Sequence, residues 1–110
     1  MKAMSDFDEF DTPLDRRARI LVRNDANFLA ELVAARKRQG ISQGAVAERM
    51  GVSQPAVAAF ERAENDPKLS TIRRYAMAVG LLVVHLVEED HGEPIRVGHR
   101  FATSTDIVTN

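Results

Sequence analysis

Apolar residues between Phe28 and Ala35 fall at Phe28, Leu29, Leu32, Val33 and Ala35, the three- and four-residue spacing of one helix face. Gln39-Gly40 ends that stripe, glycine being suited to the left-handed turn at a helix C-terminus. Upstream, Thr12-Pro13-Leu14-Asp15 reads as a helix start, with a threonine cap, a proline in the first turn and an acid near the positive end of the dipole. A helix is predicted over residues 14–23, and Asn24-Asp25 is a second capping signal at which it breaks or restarts. Two short amphipathic segments follow, Gln43–Met50 and Gln54–Arg62, separated only by Gly51-Val52-Ser53. Asn65-Asp66-Pro67 is a turn, and Ser70 caps a further helix over Thr71–Val79 that Gly80 stops. Beyond Gly80 the period changes. Residues 81–89 are dense in β-branched positions and too uniformly apolar for a surface helix. Asp90-His91-Gly92-Glu93 can turn, and Pro94-Ile95-Arg96-Val97 can return as a second strand. A helix packed on the domain is the alternative for this segment.

The expected architecture is mainly α, with one domain in 110 residues. Residues 1–11 form an acidic flexible arm, 12–80 a helical domain, 81–101 a strand or hairpin, and 102–110 a frayed polar tail. A lone hairpin is marginal in water, so its economical partner is the same hairpin from a second copy. Leu82, Val84 and Leu86 are the candidate dimerisation residues.

Gly51-Val52-Ser53 is too short to let the second helix fold back beside the first. It locks the pair at a steep angle, and that helix-turn-helix presents its second member to the DNA major groove. A net charge of −1 argues against DNA until it is divided along the chain. Lys2 stands against five acids in residues 1–15, giving −4; twelve Lys/Arg stand against six Asp/Glu in 16–75, giving +6; Arg96 and Arg100 stand against five acids in 76–110, giving −3. The positive charge thus falls on the helix-turn-helix segment, where phosphate contacts are needed.

Gln54 opens the second helix, where its amide can pair with N6 and N7 of an adenine. Pro55, Ala56 and Ala59 complete the reading face; they offer a thymine methyl contact or a close approach, so direct readout is thin and DNA shape carries part of the specificity. Gln43 and Ser53 at the two helix starts, with Arg62, Lys68 and Arg73, are the phosphate candidates, and Arg74 is a weaker one. Ala47, Met50, Val52 and Val57 lie where the two helices meet and belong to the core.

ISQGAVAERMGVSQPAVAAFE over Ile41–Glu61, the turn at Pro67 and the closing LSTIRRYAMAVG resemble the phage repressor, Cro and Xre class of regulators. With the preceding helix the resemblance covers about half of the chain. It implies a lambda-repressor-like helix-turn-helix bundle with a C-terminal β-strand or hairpin, and the phosphate and base roles given above for Gln43 and Gln54. It also implies a structural ion pair between Arg36 and Glu61 that ties the first helix to the reading helix. Ala63 stands where the family commonly has glycine, which predicts a helix running past Arg62. YAMAVGLLVVHLVEEDHGE, residues 75–93, resembles the ending of HigA-type antitoxins.

Two functions follow. One is a dimeric repressor that binds a palindromic operator on double-stranded DNA. The alternative is an antitoxin that represses its own operon and grips a toxin protein, with the acidic arm as a segment that orders on contact. A third possibility is an interaction module that has lost DNA binding. Catalysis is not expected, since HExxH, GxSxG, phosphate-loop and cysteine-nucleophile patterns are missing. No cofactor or metal is expected, because His85, His91 and His99 match no regular ligand spacing. Without a cysteine, an apolar membrane span or a secretion signal, the chain is expected in the cytoplasm.

Overall fold

A computed structural model describes residues 11–92, which contain four helices: α1 Pro13–Arg38, α2 Gln43–Met50, α3 Gln54–Glu61 and α4 Leu69–Val79. The acidic arm before residue 11, the return strand and the polar tail after residue 92 lie outside the described residues. The start of α1 is a full capping box: Asp15 N–H donates to Thr12 Oγ1 at 3.0 Å, and Thr12 N–H donates to the Asp15 carboxylate at 3.1 Å.

Asn24-Asp25 does not break this helix, which runs unbroken for 26 residues. An interior Asn or Asp costs only about 0.7 kcal/mol against alanine, and no glycine or proline accompanies the pair to force an exit. The last helix also differs from expectation. It begins at Leu69, capped by Lys68 without a side-chain bond, so Ser70 lies inside its first turn. Lys68 holds the extended backbone of an N-cap (φ −76°, ψ 154°), which places the first helical residue at Leu69.

Gly51 takes φ +72°, so the backbone of α2 reverses in one residue and Ser53 is free to cap α3, accepting from Ala56 N–H at 3.2 Å. Ala63 takes the left-handed backbone that glycine adopts most readily. Its φ is +56°, the chain leaves α3 after Glu61, and the expected run past Arg62 does not occur. An alanine in the left-handed region costs about 1–2 kcal/mol, and the bond from Ala63 N–H to Phe60 O offsets part of it.

Leu32, Val46, Ala47, Val57, Phe60, Tyr75 and Val79 form the core, drawn from all four helices. Phe60 and Tyr75 pack with ring centroids 4.7 Å apart. Met50 and Val52 border this cluster and are half-buried, while Ala47 and Val57 lie fully inside it. Behind the helix-turn-helix, two arginines cross-brace helix ends: Arg74 donates to Met50 O and Arg49 to Ala78 O, both at 2.8 Å.

Residues 81–92 form neither a strand nor a helix. A strand needs a ladder partner, and among the described residues no segment offers one. The chain instead runs extended beside α1 in the opposite direction. Leu81 and Val83 pack on the core, His85 lies against Phe28, and Asp90 reaches Arg16 and Arg17 at 3.2 and 2.8 Å. The alternate side chains Leu82, Val84 and Leu86 point away from the core and are exposed.

Candidate nucleic-acid interface

α3 is short, and its N-terminal turn is its most accessible part. Gln54, Pro55 and Ala56 are exposed, while Ala59 is half-buried. Ala56 and Ala59 line a recess of about 320 Å³ with Phe60, Pro67, Lys68 and Thr71. Alanine at both positions keeps the front of α3 short, so that it can come close to a surface laid against it. Gln54 is the one residue of the four with both a donor and an acceptor to offer.

Gln54 is not isolated. Its Nε2 donates to Gln43 Oε1 at 3.4 Å, and Gln43 Nε2 donates to Glu61 Oε1 at 2.9 Å. Arg36 grips the same carboxylate with two bonds, Nε to Oε2 at 2.6 Å and Nη2 to Oε1 at 3.0 Å, and its Nη1 donates to Ile41 O at 2.8 Å. Tyr75 Oη completes the set, donating to Glu61 Oε2 at 2.6 Å. Four donors therefore fill the roughly four lone-pair sites of the carboxylate. Arg36 and Glu61 keep only 9% and 7% of their side-chain surface, so the pair is sheltered from water and salt. Burial by itself would raise the Glu61 pKa; the bonds from Arg36, Tyr75 and Gln43 outweigh it and hold the group below its ordinary value. The Tyr75 hydroxyl is pushed up, first by burial and then by its bond to Glu61.

The remaining phosphate candidates divide in two. Lys68 and Arg73 are exposed and have no ion-pair partner among the described residues. Arg62, also exposed, is paired with Glu64 at 2.8 Å, and Ser53 is occupied as a cap. Arg74 is committed to Met50 O. Two residues of this assembly escaped sequence reasoning. Tyr75 carried no role in the sequence reading beyond its place in the last helix, although a buried tyrosine hydroxyl usually finds a partner. Asp90, which closes on Arg16 and Arg17, read as part of a solvated turn. The bonds from Arg17, Gly92 N–H and Arg16 hold its carboxyl well below the usual range. His85 and His91 do not converge, one lying on Phe28 and the other beside Glu89; His99 lies outside the described residues.

Three short helices in this order, with a glycine turn after the first and a polar first residue on the second, narrow the identity. Residues 32–82 match the helix-turn-helix family model. This segment is an Xre/Cro-type helix-turn-helix domain. The chain is also similar to the antitoxin HigA1 of Mycobacterium tuberculosis, in strains CDC 1551 / Oshkosh and ATCC 25618 / H37Rv. Each is 42% identical over 72 residues, 66% of this chain and 48% of the relative, so the match spans about half the length of these relatives. No solved structure matches the chain significantly. Among the described residues, no helix of this domain or its flanks is long and apolar enough to cross a membrane.

Proposed function

We propose that the chain is a sequence-specific, DNA-binding transcriptional regulator that acts as a dimeric repressor in the cytoplasm. The observation that carries this reading is the exposed Gln54 at the N-terminus of α3, buttressed by Gln43 and framed by the helix-turn-helix domain. Gln54 contacts a base edge, Ala56 and Ala59 let the helix seat deeply, and Gln43, Ser53, Arg62, Lys68 and Arg73 meet the flanking phosphates. Arg62 can exchange its exposed tie to Glu64 for a phosphate, because surface pairs of this kind are worth at most about 1 kcal/mol. No catalytic role enters this reading.

Gln54→Ala is expected to weaken binding to an operator selected from random DNA by about 1–3 kcal/mol, with loss of preference at one base pair per half-site. A gel-shift series showing unchanged affinity and unchanged preference would remove Gln54 from the reading role. The outward row Leu82, Val84 and Leu86 supports the dimer, since an extended segment with an apolar outer face can pair with its own copy. Two-fold symmetry then calls for a palindromic operator, with half-sites about one helical turn apart.

The similarity to the antitoxin HigA1 favours a second reading on the same DNA-binding base: autoregulation of an operon together with neutralisation of a toxin. The acidic arm before α1 supplies a segment that can order on such a partner. Co-expression with the protein encoded next to it should then yield a stable complex. Two proteins that purify separately would leave the plain repressor.

A further inference from the structure

In the cleft of about 570 Å³ between α1 and the extended segment, the charged groups already answer one another, Asp90 being taken by Arg16 and Arg17. The neighbouring flank of α1 is different. Arg16, Arg19 and Arg23 follow at intervals of three and four residues, which puts them in one row down the helix. Asp11 stands ahead of the helix, yet its carboxylate accepts from the Arg19 guanidinium, Nη2 to Oδ2 at 2.6 Å. Only 20% of the Asp11 side chain is exposed. The chain at Asp11 is therefore laid back along the flank of α1 instead of leaving from its end. One turn beyond Arg19, Arg23 is exposed and has no ion-pair partner among the described residues.

We propose that this row is the docking surface of the chain's own acidic arm: residues 6–10 continue past Asp11 along α1, and Glu9 pairs with Arg23. The charge fits, since Asp6, Asp8 and Glu9 fall within four residues. The spacing fits as well. Arg19 and Arg23 are about 6 Å apart along the helix axis. Two residues of extended chain advance about 6.6–6.8 Å, so an arm with Asp11 on Arg19 brings Glu9 to Arg23. Val22 is exposed beside the row and supplies apolar surface for the aromatic residues of the arm, Phe7 and Phe10.

Exposed ion pairs are individually weak and weaken further in salt, so the docked arm exchanges with a released one. That exchange is the use of the arrangement. A partner that takes the arm binds only the released form, and its apparent affinity falls with the released fraction. The arm is thereby kept against its own helix until a stronger basic surface competes for it. The docking itself requires neither DNA nor a toxin.

The chain has no cysteine, so Ser5→Cys carries a single nitroxide spin label on full-length protein. At low salt, paramagnetic broadening should concentrate on the amides of α1 from Arg23 to Ala30. It should fade at about 0.5 M salt, where charges are screened within a few ångströms. Arg23→Glu should lower the ratio of docked to released arm by about fivefold or more, because it turns an attraction into a repulsion. Glu9→Arg in the same chain should restore it. Arg23 is exposed, so the fold survives both changes. Broadening spread evenly over the surface, or unmoved by Arg23→Glu, overturns the proposal. Isotope-labelled protein without the nitroxide, mixed with spin-labelled protein, should show no broadening. Broadening of equal size there assigns the arm to a second copy and overturns docking on its own helix.

Discussion

Glu61→Ala is expected to destabilise the domain by about 3–5 kcal/mol in chemical denaturation, because it leaves the Arg36 guanidinium buried without its counter-charge. Domains of this size have about 5–15 kcal/mol in all, so the variant should unfold at modest denaturant. The same change orphans Tyr75 Oη and releases Gln43. For that reason, replacing Arg36 and Glu61 together by methionines should recover only part of the loss. A cost below 1 kcal/mol would class the pair with exposed ones and refute the role given to it. Acid offers an independent check. The folded pKa of Glu61 lies below its ordinary value near 4.5, so its contribution is complete above that pH and fades as pH falls through the folded value. Glu61→Gln should flatten this acid limb.

Tyr75→Ala is the second large effect, again about 3–5 kcal/mol. Tyr75 is fully buried, and its ring packs on Phe60 in the middle of the core. Truncation removes that contact, opens a cavity and takes a hydrogen bond from Glu61. Tyr75→Phe separates the parts: it keeps the ring and loses the bond, for about 1–3 kcal/mol. Thermal or urea unfolding of the two variants reads the difference directly. If both cost the same, the hydroxyl and not the ring dominates, and the packing account is wrong.

Much of this arrangement can be read from local sequence. Thr12 with Asp15, Gly51 with Ser53, and the stripe through Leu32 act through neighbours three or four residues away, and a linear reading finds such signals. The Arg36–Glu61 contact came only through resemblance, since 25 residues separate the partners. Misreadings arose where two weak local signals competed. Asn24-Asp25 carries capping chemistry without a breaker, so the helix continued. Ala63 lacks the freedom of glycine, yet it takes the left-handed backbone, with its N–H bonded to Phe60 O and the next N–H to Ala59 O. Tyr75 was invisible as a polar residue because its spacing on α4 is that of the core. Residues 81–92 have strand composition, but a strand exists only in company, and composition says nothing of the company.

The long first helix has a consequence for how the protein opens. Its C-terminal half, from Phe28 onward, is sewn into the core by Leu32, Ala35 and Arg36. Among the described residues, its N-terminal half lies beside extended chain and not beside another helix. Leu14, Leu21 and Val22 are exposed, and contacts on this half, Asp90 on Arg16 and Arg17 and Asp11 on Arg19, come from extended chain at the surface. The first four turns of α1 and residues 84–92 are therefore expected to open as one cooperative unit, and the four-helix core as another of higher protection. Amide exchange can run through the first unit while the reading helix stays locked.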